Sequence, residues 1–217
     1  MQTHSIQIKQ QEFVLHPSGA VYWSQKDMLL IADVHLGKVS HFRKHGSAVP
    51  LQAIYANFDN LDGVVQHFKP AHICFLGDLF HSYINEEWLL FASWVARQKS
   101  KITLVSGNHD IIAPQRFEDL DVQVKEEWRL GSLLLTHIPE LRAGYFNLAG
   151  HIHPGVQLNG IGLRGVKVSC FHKTPDQMVL PAFGTFTGHF IISPTSDDHI
   201  FAIADDQVIP ITAALPK

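Results

Sequence analysis

The chain has 217 residues, of which 46% are hydrophobic and 17% are charged. This composition predicts a globular protein with a sizeable core and excludes a disordered or fibrous chain. The formal net charge of −3 excludes a protein that is basic overall, although it allows a local basic patch that could bind nucleic acid. No apolar run reaches the roughly 18 residues of a membrane-spanning helix, and the N-terminus has no secretory signal pattern. The spacing of the two cysteines predicts neither a disulfide framework nor a zinc site, which is typical of a cytoplasmic protein.

The first half of the chain alternates predicted strands and helices. Residues 6–23 alternate apolar and polar positions around the turn Pro17-Ser18-Gly19, which predicts antiparallel strands. Further along, continuous apolar runs predict strands that are buried on both faces, and apolar residues at steps of three and four predict helices. The predicted buried strands are 28–32, 72–76 and 102–105, and the predicted helices are 50–68 and 86–99. This order favours an α/β fold with parallel strands.

The second half is predicted to be mostly antiparallel sheet. Short apolar runs separated by turn residues indicate strands, and Gly131-Ser132 indicates a hairpin. The predicted strands are 122–124, 127–130, 133–136, 145–149, 166–171, 178–182, 190–192, 200–204 and 208–211. Because no linker-like composition interrupts the chain, we expect residues 1–217 to form one domain, with a core of two sheets and helices packed outside.

Polar side chains follow several of the predicted strands at the point where each strand ends. The clearest case is Gly107-Asn108-His109-Asp110, which comes directly after the buried run 102–105. In α/β sheets, ligands bind at the carboxyl ends of the strands. Asn108 offers a hard oxygen ligand, and His109 can exchange a proton near neutral pH.

Four other strand ends or turns carry metal-binding side chains. Because each follows an apolar run, we expect them to converge on one point. The seven candidate ligands are Asp33, His35, Asp78, Asn108, His137, His151 and His153. This set is too large for one structural zinc and suits two divalent ions that share a carboxylate, for which Asp78 is the expected bridge. The mixture of oxygen and imidazole ligands favours manganese, with iron, zinc or magnesium as alternatives.

The order of these motifs resembles the calcineurin-like metallophosphoesterase superfamily. The resemblance covers residues 33–153 and implies a four-layer α/β/β/α sandwich of the metallo-dependent phosphatase type, with two mixed β-sheets flanked by helices. It also implies that His109 protonates the leaving oxygen while Asp110 orients it. One position departs from the pattern, because His81 stands where many relatives have a carboxylate. The implied ligands of one metal are Asp33, His35, Asp78 and His153, and those of the other are Asp78, Asn108, His137 and His151.

Further stretches resemble one bacterial branch of this superfamily, the ligase-associated DNA damage response endonucleases (PdeM). They are residues 33–38, 42–46, 49–50, 150–154 and 180–188. This resemblance implies DNA as the substrate, an ATP-dependent DNA ligase and a helicase as functional partners, and a role in DNA repair.

The expected function is hydrolysis of a phosphodiester by water that two metal ions activate, with His109 as the general acid. Basic residues just after the first metal ligands are predicted to overhang the site and to hold the phosphates of the substrate; they are Lys38, His41, Arg43 and His45. The alternative for this segment is a solvated basic loop. Two other functions stay open: a small-molecule phosphodiesterase or pyrophosphohydrolase that acts on cyclic nucleotides or nucleotide derivatives, and a non-catalytic scaffold of the same fold.

Overall fold

A computed structural model of the protein describes residues 1–44, 46, 52–81, 83–158 and 165–211. The first of its two sheets has seven strands that are adjacent in chain order: β1 (His4–Ile8), β2 (Gln11–Leu15), β3 (Val21–Trp23), β4 (Met28–Ile31), β5 (His72–Leu76), β6 (Lys101–Val105) and β7 (Val122–Lys125). Strands β1 to β4 pair in antiparallel fashion, whereas β4 to β7 are parallel. The carboxyl ends of β4, β5 and β6 therefore lie at the same edge of the sheet.

The second sheet has nine strands: β8 (Trp128–Leu130), β9 (Leu133–Leu135), β10 (Phe146–Ala149), β11 (Pro154–Leu158), β12 (Val166–Lys173), β13 (Gln177–Val179), β14 (Phe190–Ile191), β15 (His199–Ala204) and β16 (Gln207–Ile211). Most of its pairs are antiparallel, as predicted, and β8 and β9 form the predicted hairpin. Strand β10 is instead parallel to both of its neighbours, β9 and β13. As a result, β9 and β10 also end at a common edge.

The main core lies between the two sheets. Leu30 and Leu76 of the first sheet pack in one cluster with Leu135, Phe146 and Leu148 of the second, and all five side chains are buried. The predicted α/β fold with two mixed sheets is confirmed.

The helices of the described residues are α1 (Lys38–Lys44), α2 (Gln52–Phe68), α3 (Glu86–Arg97) and α4 (Pro114–Glu118). A second core cluster joins α2, α3 and α4 to the first sheet. Phe58 and Leu61 come from α2, Phe91 and Trp94 come from α3, and they pack with Phe75 of β5. The side chain of Asn85 caps α3 by accepting a hydrogen bond from the backbone N–H of Glu87 at 2.9 Å. Among the described residues, no helix is long and apolar enough to cross a membrane.

Some elements differ from the sequence-based expectations. The basic segment after His35 was expected to be a loop, but Lys38–Lys44 forms α1, and β11 was not predicted at all. The predicted start of α2 at Pro50 lies outside the described residues. That residues 1–217 form one domain stays a prediction.

Candidate metal centre

The seven predicted ligands all follow strands that end at the same side of the molecule. Asp33 and His35 follow β4, Asp78 follows β5 and Asn108 follows β6, while His137, His151 and His153 follow β9 and β10 of the second sheet. Backbone hydrogen bonds fix the first two turns to each other. The N–H of Asp33 donates to the carbonyl of Gly77 at 3.2 Å, and the N–H of His35 donates to the carbonyl of Asp78 at 3.0 Å.

Five of the seven predicted ligands have a left-handed backbone. The φ angles are 56° for Asp33, 53° for His35, 50° for Asp78, 70° for His151 and 51° for His153. Non-glycine residues in this region cost about 1 to 3 kcal/mol each and persist only where the surroundings impose the conformation. Strain of this kind clusters at functional sites, and here it turns the ligand side chains towards a common centre.

Two glycines keep the backbone close to the carboxylates. A Cβ atom at Gly107 would overlap the backbone nitrogen and the side chain of Asp78, and a Cβ atom at Gly150 would lie 2.5 Å from Oδ2 of Asp33. Real Cβ atoms do not approach other atoms this closely, so the packing requires glycine at both positions.

Asp33, His35 and His153 form the first group of side chains that could hold a metal ion. Oδ1 of Asp33 lies 3.2 Å from Nε2 of His153 and 4.0 Å from Nε2 of His35, and the two imidazole nitrogens are 3.2 Å apart. Atoms that bind one ion at about 2.1 Å lie roughly 3 to 4 Å from each other. Burial, and then the neighbouring His153, lower the pKa of His35, so its imidazole is neutral and able to bind a metal at neutral pH.

Asp78, His137 and His151 form the second group, and Asn108 adjoins it. Nε2 of His137 lies 3.2 Å from Oδ1 of Asp78, 3.2 Å from Nδ1 of His151 and 3.0 Å from Oδ1 of Asn108. Nδ1 of His137 lies 2.9 Å from the carbonyl oxygen of Leu76 and donates to it, which leaves Nε2 with a lone pair. The lone pair of Nε2 therefore faces Oδ1 of Asp78 and Oδ1 of Asn108, and both oxygens can only accept hydrogen bonds. A cation between the three atoms removes their mutual repulsion.

Asp33 gives an independent test of whether the residues fit a metal. Its side chain is fully buried, and Oδ2 accepts a hydrogen bond from the N–H of His151 at 2.8 Å. Oδ1 makes no hydrogen bond to any described residue, and the imidazole nitrogen nearest to it is Nε2 of His153, another candidate ligand, at 3.2 Å. A buried, unpartnered carboxylate oxygen is strongly unfavourable unless a cation satisfies it. The donor set and this oxygen together fit divalent metal ions.

His109 and Asp110 lie beside these groups but have different surroundings. The side chain of His109 is exposed, and its ring centroid is 6.2 Å from that of His35. The carboxylate of Asp110 accepts hydrogen bonds from the backbone N–H groups of Phe80 at 3.0 Å and Gly107 at 2.8 Å. Burial raises the pKa of Asp110, and these two N–H groups oppose the rise. Asp110 thus shapes the turn that carries His109 through backbone contacts.

The predicted substrate-binding residues Lys38, His41 and Arg43 lie on α1, and His45 lies outside the described residues. Burial lowers the pKa of Lys38, and the charges of Asp33 and Asp78 oppose this shift. The ring of His41 is 6.1 Å from that of His81. The structure therefore brings Lys38 and His41 to one side of the centre.

The sequence analysis assigned no role at the site to four residues that support it, Glu87, Asn57, Gly184 and Thr185, although the last two lie in the stretch 180–188 that carries part of the resemblance. Glu87 is buried on α3 and accepts hydrogen bonds from α1. The N–H of Gly184 donates to the carbonyl of Asp33, and Oδ1 of Asn57 accepts from the N–H of Thr185, which ties the 183–185 segment to the first metal-binding turn. These contacts join residues far apart in sequence, so no local pattern indicated which residues would meet.

Two cavities flank the first sheet at opposite edges. One of about 340 Å³ adjoins Asn108 and His137, and its wall includes Glu126, Glu127 and Glu140. The larger one, of about 1060 Å³, lies at the amino-terminal ends of β5, β6 and β7, away from the predicted ligands. Of these two cavities, the smaller one is placed to contribute to chemistry at the metal centre.

Comparison with solved structures gives a match over nearly the whole chain. The crystal structure of the nuclease MPE from Pseudomonas putida shares 28% sequence identity with a TM-score of 0.81, and the match covers 97% of this chain and 100% of that one. The phosphoesterase Yfce from E. coli is 16% identical with a TM-score of 0.41, over 85% of this chain and 98% of that one. No curated protein matches the chain.

The nuclease match confirms the metallo-dependent phosphatase type of fold. The family model described as calcineurin-like phosphoesterase matches residues 27–180, which include all seven predicted ligands and His109. This match spans well over half of the sequence. The chain therefore belongs to the calcineurin-like phosphoesterase family and is a metal-dependent phosphoesterase.

Proposed function

We propose that the chain hydrolyses phosphodiester bonds in DNA with two manganese ions bound side by side. The observation that carries the proposal is the pair of adjacent ligand groups, in which the buried Oδ1 of Asp33 has no hydrogen-bond partner. In this proposal Asp33, His35 and His153 hold one ion, and Asn108, His137 and His151 hold the other, with Asp78 shared between them.

Two divalent ions bound here would activate a water molecule near neutral pH and offset the negative charge of the phosphate. His109 would donate a proton to the leaving oxygen, since its exposed ring lies beside the first ligand group. The backbone N–H of His109 donates to Oδ1 of Asp78 at 2.9 Å, so the position of the general acid is fixed relative to the shared carboxylate. Asp110 would hold the turn in which His109 lies.

The likeness to a bacterial nuclease supports a nucleic acid as the substrate, and the resemblance to the DNA damage response endonucleases favours DNA. On this proposal Lys38, His41 and Arg43 of α1 contact phosphates that flank the scissile one, because a helix with these side chains begins just after the first metal-binding turn. Arg43 is the strongest candidate, since a guanidinium group can bind phosphate through two parallel hydrogen bonds. The functional association with an ATP-dependent DNA ligase and a helicase, and the cytoplasmic location, stay predictions.

A small phosphodiester, such as a cyclic nucleotide or a nucleotide derivative, is the second candidate substrate. The wall of the smaller cavity carries Glu126, Glu127 and Glu140, and the formal net charge of the chain is −3. Arg142 pairs with Glu127 and Glu140, and Arg129 pairs with Glu127. The remaining carboxylate, Glu126, would repel a long polyanion on one side of the centre, whereas a small substrate could bind on the α1 side alone. A non-catalytic scaffold is disfavoured because the described residues include all seven ligands and His109.

One panel assay separates these functions. The metal-free protein is supplied with manganese and incubated with bis-p-nitrophenyl phosphate, a cyclic nucleotide, single-stranded DNA and duplex DNA, with Asp78→Asn as the inactive control. Cleavage of DNA that requires manganese and is lost in Asp78→Asn supports the proposal. Hydrolysis of the cyclic nucleotide alone would support the second candidate, and hydrolysis of none would contradict phosphodiesterase function.

A further inference from the structure

We infer that Glu87, a residue of α3, positions the substrate-binding helix α1 relative to the metal centre. The inference rests on the proposed function and deepens it, because it identifies how the basic side of the site is held in place. The side-chain hydrogen bonds of Glu87 go to Gly37 and Ser40 and not to a predicted metal ligand, so it acts through Lys38 and His41 of α1.

The carboxylate of Glu87 binds the first turn of α1 directly. Oε2 accepts a hydrogen bond from the backbone N–H of Gly37 at 2.6 Å. Oε1 accepts one from the hydroxyl of Ser40 at 2.7 Å and a longer one from its backbone N–H at 3.3 Å. The first N–H groups of a helix have no partners within the helix, and a negative charge at that end is favourable. Glu87 is only 1% exposed, so its carboxyl oxygens have these protein donors as partners instead of solvent water.

This attachment determines which side chains of α1 face the metals. Successive residues of a helix are rotated by about 100° from each other. Val39 is 2% exposed and packs inward, whereas Lys38 is half-buried and lies three residues after His35. The ring of His41 lies 6.1 Å from that of His81, which in turn lies 5.5 Å from the ring of His35. A rotation by one residue would move Lys38 out of this position, and the two bonds to Ser40 oppose such a rotation.

The segment just before α1 is already fixed to the sheet. The N–H of His35 donates to the carbonyl of Asp78 at 3.0 Å, and the N–H of Leu36 donates to the carbonyl of Leu79 at 2.8 Å. Gly37 then turns the chain with a φ of 88°. Glu87 binds at this turn, so it extends the rigid connection from the metal-binding turn into the helix.

The test compares Glu87→Gln with Glu86→Gln, using manganese-loaded protein. Both residues lie in the first turn of α3, so both changes remove one negative charge from the same helix end, but Glu86 is exposed. In Glu87→Gln the new side chain keeps one acceptor oxygen and places an amide N–H₂ against a donor. We expect Glu87→Gln to raise KM on a single-stranded oligodeoxynucleotide about ten-fold, since a hydrogen bond to a charged group is lost. We expect kcat on bis-p-nitrophenyl phosphate, which has no flanking phosphate, to stay within about two-fold, and Glu86→Gln to match the wild type on both substrates.

Three further measurements keep the inference falsifiable. Ser40→Ala removes only the hydrogen bond from the Ser40 hydroxyl and should raise KM less than Glu87→Gln does. Lys38→Met should raise KM as Glu87→Gln does, and the double variant should be no worse than the poorer single one, because both changes remove the same contact. Amide hydrogen exchange of residues 37–44 should be faster in Glu87→Gln than in Glu86→Gln.

Equal losses of kcat on both substrates would overturn the inference. Effects of Lys38→Met and Glu87→Gln on KM that multiply in the double variant would also overturn it. So would amide hydrogen exchange in residues 37–44 that is no faster in Glu87→Gln than in Glu86→Gln. If the wild type hydrolyses no phosphodiester, the proposed function fails, but hydrogen exchange still decides whether Glu87 positions α1.

Discussion

Replacing Asp33 by Asn should remove the stabilisation that one of two manganese ions gives to the folded protein. The change keeps the size of the side chain and an oxygen that can accept the N–H of His151, but it removes the charge from the buried Oδ1. Without that charge, this ion keeps His35, His153 and the shared Asp78, which bind a divalent ion more weakly than the full set.

The expected size of the effect follows from linkage between binding and folding. An ion present at 100 times its dissociation constant adds about 2.7 kcal/mol to the free energy of unfolding. For a protein of roughly this length, 1 kcal/mol corresponds to about 2 to 4 °C in Tm. Two ions should therefore raise the Tm of the wild type by about 11 to 22 °C, and Asp33→Asn should retain about half of that rise.

The assay is thermal unfolding with a chelator and then with saturating manganese. Asp59→Asn is the matched control, because it removes an exposed carboxylate on α2 and should keep the full manganese-induced rise. If manganese raises the Tm of Asp33→Asn as much as it raises the Tm of the wild type, the assignment of Asp33 as a metal ligand is refuted.

The remaining predictions concern the general acid, the substrate and pH. His109→Ala should lower kcat on alkyl phosphodiesters by about 10²- to 10⁴-fold and on activated aryl esters far less, because aryl leaving groups need little protonation; equal losses on both would contradict the general-acid role. Arg43→Ala should raise KM on DNA and leave kcat on bis-p-nitrophenyl phosphate near that of the wild type, and an unchanged KM would remove Arg43 from the substrate site. Burial, and then the neighbouring His67, lower the pKa of His16 from 6.5 to about 4. Between these two pKa values the unfolded chain binds more protons than the folded protein. The contribution of His16 to the free energy of unfolding is therefore fully present above pH 6.5 and decreases as the pH drops towards 4, by at most about 3 kcal/mol. Urea unfolding at pH 7.5 and 5 should show a smaller decrease for His16→Asn than for the wild type, and equal decreases would be contrary to this prediction.

The sequence predicted the centre of the fold because local and tertiary signals agree there. Strands β4, β5 and β6 are continuous apolar runs, and a polar ligand follows each one directly. Since parallel strands end at one edge, the order of the motifs was enough to bring Asp33, Asp78 and Asn108 together.

Helix α1 could not be predicted in the same way. The segment Lys38–Lys44 has little apolar periodicity, and its first turn depends on Glu87, which is 50 residues away in sequence from Gly37. Strand β11 was missed because it begins with Pro154 and Gly155, which disfavour strands, and it forms through its partners β12 and β14. The backbone partners of Asp110 likewise depend on the fold, since Phe80 belongs to another turn.

The number of manganese ions needed for activity tests the central claim most directly. Manganese is titrated into metal-free protein while hydrolysis of bis-p-nitrophenyl phosphate is followed. A dinuclear centre predicts that the rate reaches its plateau at two equivalents per chain. A plateau at one equivalent, or a full rate without added metal in the presence of a chelator, would contradict it.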